Sequence, residues 1–318
     1  MPDGVPASRP MGGQAVLEGV MMRGSSTWAV AVRTPDGEIE IDVHDVPGWA
    51  DRFVKIPLVR GCTTLAESLG LGFKALQWSA DRQVPEEERL SKGATGSVMV
   101  LALAFFAAFF IVLPAVGAKA LVGLWDGGSG TFHVTEGVLR LVLFLAYLGA
   151  IGRLPDIRRV FQYHGAEHKA IAAYENGEPL TPESAQRFTT EHVRCGTNFL
   201  LTVMVVTIFV YALLGRPGWV AMIVSRVVLI PVVAGVSYEV IRFAAGHMRW
   251  RWVRVLMRPG LALQQLTTRE PSLDQLEVAI ASLRAVMTAE QIAEVDARPP
   301  LPAGAVLTGR RRPAFGTA

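Results

Sequence analysis

The chain of 318 residues is 51% hydrophobic and only 19% charged, with a mean hydropathy of +0.33. A soluble domain carries about 25% charged residues, so part of this chain is built for lipid rather than water. Its formal net charge of +3 is too small to mark a nucleic-acid binder, and Cys62 and Cys195 are too few and too far apart for a disulfide framework.

The opening "MPDGVPASRPMGGQAV" carries Pro, Gly and Arg where a secretory signal would have its apolar core, so no signal peptide is expected. Residues 1–11 read as a flexible N-terminus. "TWAVAVRT" and "EIEIDVHDV" flank the turn signal "PDG", and "QAVLEGVMMR" before them supplies a third strand, giving a small antiparallel sheet within 12–46. Helical spacing follows over 56–82, with Leu65, Leu69, Phe73 and Leu76 forming an apolar stripe. That helix either lies on a membrane surface or packs on the sheet.

Four apolar runs come next. Residues 97–117 contain no charge and are long enough to cross a bilayer, with Pro114 expected to kink the helix without ending it. Weaker spans are read at 137–154, with an arginine near each end placed to snorkel, and at 199–215 and 219–241, joined by the turn "RPG". The last carries Arg226, expected to snorkel to the near surface, and Glu239, near the cytoplasmic end. Lys and Arg concentrate before the first span, between the second and third, and after the fourth, so both termini and the 153–198 loop are expected in the cytoplasm. "RWRWVRVLMR" (249–258) can stack bases and neutralise phosphates, but its position directly after a span favours an anchor on anionic lipid, and nucleic acid is not expected as a partner. "SLDQLEVAIASLRAVM" (272–287) is an amphipathic helix with Leu276, Ala279, Ile280 and Leu283 on one face and a capping box from Ser272 to Gln275. From Arg298 the Pro-, Gly- and Arg-rich tail reads as disordered.

The chemistry is concentrated in "FQYHGAEHKAIAAYENG" (161–177). His164 and His168 share a helix face at i,i+4 with Glu167 between them, spelling H-x-x-E-H, as in the inverzincin metalloproteases. Neutral imidazoles hold zinc, and a neighbouring carboxylate serves as general base toward the attacking water. "EHVRCGT" (191–197) adds His192 and Cys195 at the same membrane face. Glu175 is about 10 Å along the helix axis from His168, given a rise of 1.5 Å per residue, so it ranks below His192 and Cys195 as a ligand. Glu239 is a further candidate, as an acid within a span; spans otherwise poor in polar groups argue against a transporter. The inverzincins take a third ligand from a distant glutamate in a large soluble fold, a departure that counts against peptidase activity.

In order, "GGQAVLEGVMMRG" (12–24), "IPLVRG" (56–61), "FQYHGAEHKAI" (161–171), "YENGEPLT" (174–181), "RCGTNFL" (194–200), "LIPVVAGVSYE" (229–239) and "PGLALQQLTTREP" (259–271) resemble the YqhQ family of bacterial integral membrane proteins. That family is of unknown function and is described as a predicted metal-dependent enzyme. The resemblance points to His164, Glu167, His168, His192 and Cys195, with Glu18 and Glu239 as further polar positions; Cys62 receives no role.

The expected architecture is an α+β membrane protein. A β-rich and amphipathic-helix region (12–96) precedes a four-helix membrane domain (97–245) bearing the His/Cys loop (153–198). A basic juxtamembrane segment and amphipathic helix (246–297) and a disordered tail (298–318) complete it. The first functional expectation is a zinc or other divalent transition-metal enzyme of the bacterial cytoplasmic membrane, a hydrolase with Glu167 as general base, acting on a membrane protein, a lipid or a nucleotide derivative. The second is a membrane assembly factor in which two histidines, His192 and Cys195 close around a structural metal. Three protein ligands would favour the first and four the second.

Overall fold

The computed structural model describes residues 11–124, 128–192, 195–215 and 218–298. The N-terminal strands form one antiparallel meander, β1 (Gly12–Val16), β2 (Gly19–Arg23), β3 (Thr27–Arg33) and β4 (Ile39–Asp45). The expected third strand is in fact a hairpin. Val16 pairs with Gly19 across a two-residue turn in which Glu18 takes φ +51°. Gly19 is required there, because a Cβ would sit 2.1 Å from the Ala31 carbonyl oxygen. Apolar character on both sides of the turn hides it in the sequence. Met11, placed in the flexible N-terminus, is buried in the core.

Both faces of the sheet are covered. Val20, Met22, Ala29 and Ala31 pack on helices α5 (Pro155–Glu175) and α11 (Leu273–Ala285), while Val16, Met21, Trp28, Val30 and Val32 pack on Leu71 and Ala75 of helix α1 (Val59–Arg82). The α1 stripe is therefore corrected: Leu69, Phe73 and Leu76 face outward and are exposed. Gly72, Ala75 and Ser79 turn inward, small enough for the helix to approach the sheet closely; a Cβ on Gly72 would meet the Gln14 side chain at 2.2 Å. Helix α11 follows its sequence signature, with Leu276, Ala279, Ile280 and Leu283 buried and both capping-box hydrogen bonds formed between Ser272 and Gln275. It is a core element.

Among the described residues, two helices are long and apolar enough to cross a membrane, Gly93–Val122 and Ser129–Ile151 (α4). The first comprises α2 (Lys92–Ala107), a π-helical turn at Ala108–Val112 and α3 (Leu113–Val122). Helices α8 (Trp219–Val228) and α9 (Ile230–Gly246) pass the same test only as a pair bent by 44°, and α7 (Gly196–Ala212) is a shorter apolar helix. Four expected spans thus become two, or three if the bent pair is one. Part of the connection expected between the first two spans is the start of α4.

Pro114 acts through the π turn. It has no N–H to offer the carbonyl four residues back, and that carbonyl, on Phe110, instead accepts a hydrogen bond from Arg140 Nε at 2.9 Å. Neither Arg140 nor Arg226 snorkels: they are 8% and 1% exposed. Short helices α6 (Pro182–Gln186) and α12 (Ala289–Asp296) and the longer α10 (Arg251–Thr267) complete the chain. Residues 216 and 217 of the "RPG" turn and all but the first residue of the tail lie outside the described residues. Arg298 itself is ordered, donating to the Glu178 carbonyl at 3.0 Å.

Candidate metal centre

Three chain segments converge beside the sheet: the middle of α5, the residues leading into α7, and the last turn of α10. Helix α5 begins at Pro155, which suits the first helical turn, and its Ala166, Ala170 and Ala173 lie flat on the core. The opposite side presents His164 and His168, ring centroids 4.4 Å apart. His164 Nδ1 lies 2.8 Å from the Thr267 carbonyl oxygen and His168 Nδ1 lies 2.5 Å from that of Thr190. A carbonyl only accepts, so each Nδ1 carries the hydrogen and each Nε2 keeps a lone pair. This backbone-fixed tautomer is the one that metal-ligating histidines use.

Cys195 caps the N-terminus of α7, its Sγ accepting from Thr197 N at 3.4 Å. Sγ lies 3.3 Å from His164 Nε2, and one ligand atom from each of His164, His168 and Cys195 falls within 4.8 Å of the others. Zinc bonds of ~2.0–2.3 Å in tetrahedral geometry separate their donors by roughly 3.3–3.8 Å, so a small contraction would seat an ion. Burial alone would raise the Cys195 thiol, but its hydrogen bond to His168, the charge of His168 and the Thr197 donors bring it below the ordinary value. Burial, against the Cys195 hydrogen bond, lowers the His168 imidazole. The His168 shift favours the neutral imidazole, the form that binds metals.

Glu167 is 5% exposed, and its Oε2 has no hydrogen-bond partner. Burial pushes its carboxyl up to about 8, opposed by His164 and assisted by Cys195. An orphaned, buried carboxyl oxygen beside two imidazoles and a thiol fits a group that completes its environment only when a cation is bound. Gly13 of β1 makes room for it: a Cβ there would lie 3.2 Å from Glu167 Cδ. The "GGQAVLEGVMMRG" segment therefore does meet the histidine helix.

Residues 56–289 of the chain match a family model described as "Protein of unknown function (DUF1385)". The chain belongs to that family. It is 35% identical over 307 residues to the "Uncharacterized protein YqhQ" of Bacillus subtilis (strain 168), a match covering 91% of this chain and 95% of that protein. No solved structure matches it.

The other expected residues of this DUF1385 chain are distributed differently. His192 lies near His168, ring centroids 5.4 Å apart and the rings tilted, but its Nε2 faces Glu175 Oε2 at 3.6 Å. It stands beside the His164–His168–Cys195 group, outside the donor cluster. Glu175, too far along the helix to join that group, thus has a role as the neighbour of His192. Glu18 pairs with Arg159, five residues before His164, and accepts from Tyr163 Oη at 3.3 Å, so its carboxylate is held on α5 outside the donor cluster. Glu239 pairs with Arg60 and accepts from Leu58 N at 3.2 Å, which ties α9 to α1. Cys62 Sγ lies 2.9 Å from the Pro231 carbonyl, apart from the cluster.

Several residues that shape the centre carry no signal of their own in the sequence. The Thr190 and Thr267 carbonyls are backbone atoms, and any residue type supplies one. Gln264, fully buried, holds the loop by a reciprocal pair of 2.8 Å bonds to His192 N and O. Its signal is a polar residue on the inward face of an otherwise amphipathic helix. Lys169, 2% exposed, donates to the Gln186 carbonyl at 2.9 Å and pairs with Glu270, fastening both flanking segments to α5.

Gly165 sets how closely those segments approach, because a Cβ would meet the Arg269 carbonyl oxygen at 2.2 Å. Gly165→Ala is expected to push the 267–269 backbone away from α5 and withdraw the Thr267 carbonyl from His164. The overpacking penalty is about 1–3 kcal/mol, readable as a lower unfolding temperature together with weaker metal binding. Unchanged unfolding and metal content would contradict this packing.

Proposed function

We propose that this protein is a metal-dependent enzyme of the bacterial cytoplasmic membrane, a hydrolase working at the cytoplasmic face, with zinc the ion that suits its donors. The observation that carries this reading is the convergence of two Nε2 lone pairs, fixed by backbone carbonyls, with the Cys195 sulfur beside the unpartnered Glu167. His164, His168 and Cys195 would hold the ion, which when bound would supply Lewis acidity for hydrolysis. Three protein ligands leave a position for chemistry. Glu167 takes and returns the proton, Gly13 and the sheet keep that carboxyl out of bulk water, and Thr190 and Thr267 keep the imidazoles in the ligating tautomer.

The membrane reading extends to four crossings, with α7 as one of them. Its 17 residues rise about 26 Å, close to a hydrocarbon core of roughly 30 Å. Both termini and the 153–198 loop would then face the cytoplasm. The exposed Trp250, Trp252, Val255 and Leu256 alternate with arginines on α10 and suit an anionic lipid surface, as do the outward Leu69, Phe73 and Leu76 of α1.

The proximity of His192 to His168 favours a second reading, a structural four-ligand site in a membrane assembly factor. Cobalt substitution separates the two. An open centre changes its visible spectrum when a small anion such as azide is added, whereas a closed four-ligand centre does not. Glu167→Gln is expected to retain the metal and lose cellular function. A variant that folds, keeps its metal and functions normally would remove Glu167 from the mechanism.

A further inference from the structure

One set of buried polar side chains outside the ligand group fastens helix to helix. Glu136, Arg140 and Arg226 are 1%, 8% and 1% exposed. Glu136 Oε1 accepts from Arg140 Nη2 at 2.7 Å and Arg226 Nε at 3.2 Å, and Oε2 accepts from Arg226 Nη2 at 2.5 Å. Arg140 also donates to the Phe110 carbonyl and, at 3.1 Å, to Thr207 Oγ1. Another set, the threonine hydroxyls between the end of α10 and the start of α7, points at the ligands themselves.

Cys195, Thr197 and Thr267 are each 7% exposed, so their polar atoms depend on partners within the protein. Thr197 Oγ1 lies 3.1 Å from Cys195 Sγ and 3.3 Å from Thr267 Oγ1. Each hydroxyl has one proton to give, and the surrounding bonds decide its direction. The Gln264 carbonyl, 3.4 Å from Thr267 Oγ1, already accepts from Thr268 N at 2.7 Å and from Thr268 Oγ1 at 2.8 Å. The latter is shorter than the 3.2 Å contact of Thr268 Oγ1 with Thr190 Oγ1. Both lone pairs of that carbonyl are therefore taken. The Thr267 proton turns to Thr197 Oγ1, and the Thr197 proton to the sulfur. With Thr197 N at 3.4 Å, Sγ receives two donors from one residue.

Thr267 also holds a second ligand, because its carbonyl accepts from His164 Nδ1. The last turn of α10 thus acts on both members of the His164–Cys195 pair, whose Nε2 and Sγ lie 3.3 Å apart. We infer that Thr267 and Thr197 form a hydroxyl chain that positions the Cys195 sulfur and draws electron density from it, weakening its donation to a bound metal ion. The inference rests on the metal-dependent reading and deepens it. A thiolate is the most electron-donating ligand of the three, and hydrogen bonds to a ligating sulfur tune the metal. The two threonines are positioning residues, which act through Cys195.

The test uses full-length protein in detergent, loaded with cobalt(II), whose sulfur-to-cobalt charge-transfer absorption reports the electron density on Sγ. Thr197→Val keeps the side-chain shape and the backbone donor but removes the hydroxyl. It is expected to move that band to lower energy and to weaken zinc binding by about 10–100-fold. Thr267→Val keeps the carbonyl on His164 and leaves Thr197 donating, so it should move the band the same way by less. Thr197→Ser restores the hydroxyl and should return both band and affinity close to the wild type. A band that stays in place in both valine variants, or that shifts as far in Thr197→Ser as in Thr197→Val, would overturn the hydroxyl chain and leave the metal site standing. Wild-type protein that takes up neither cobalt nor zinc would overturn the chain together with the metal-dependent reading.

Discussion

Glu136→Leu is expected to destabilise the apolar helical bundle by about 3–5 kcal/mol, the usual cost of removing one partner from a buried ion pair. Two guanidiniums would then remain between α4, α7 and α8 with no carboxylate, one of them held only by the Phe110 carbonyl and Thr207. Combining Glu136→Leu with Arg226→Met should recover part of the loss, since only Arg140 would then stay charged. The double variant should therefore unfold at a higher temperature than the single one, a non-additivity that reports direct coupling. Equal stabilities for wild type and Glu136→Leu would mean that the carboxylate does not hold these helices together.

Cys195→Ser is expected to lower zinc affinity well beyond the ~10–100-fold that loss of an outer-shell partner costs. It replaces a thiolate ligand with a hydroxyl, which stays protonated near neutral pH. Serine can still cap α7 by accepting from Thr197 N, so the fold should survive and the loss can be assigned to the ligand. Gln264→Ala, which frees the His192 peptide but leaves all three donors, should cost less. Competition against a chromophoric chelator ranks the three proteins. Equal affinity of wild type and Cys195→Ser would remove the sulfur from the ligand set.

The histidine centre was legible because helical spacing alone places His164 and His168 on one face, and because one loop carries Cys195 back to that face. Neither Glu175, set apart by its distance along the helix, nor His192, read as a ligand, lies in the donor group; they face each other beside it. What spacing could not show was how α10 returns to the site, since the Thr267 carbonyl and Gln264 act through tertiary contacts that leave no periodic trace. The α1 stripe misled for a related reason: its largest apolar residues face outward, while glycine, alanine and serine make the inner contact. Arg140 and Arg226 were read as snorkelling because an arginine in an apolar run shows nothing of a partner in another helix. Glu136, their shared carboxylate, lies just before the run read as the second span. The small sheet was legible through its alternation and "PDG" turn, but the β1–β2 turn lies in a stretch with no proline or asparagine to announce it.

The most direct test is elemental analysis of the detergent-purified protein, prepared without chelator and after zinc reconstitution, beside a His164→Ala/His168→Ala double variant shown to be folded. The account predicts about one zinc or other transition-metal ion per wild-type chain and none in the variant. Wild-type protein that holds no metal under either condition, or a variant that holds as much as the wild type, would contradict it.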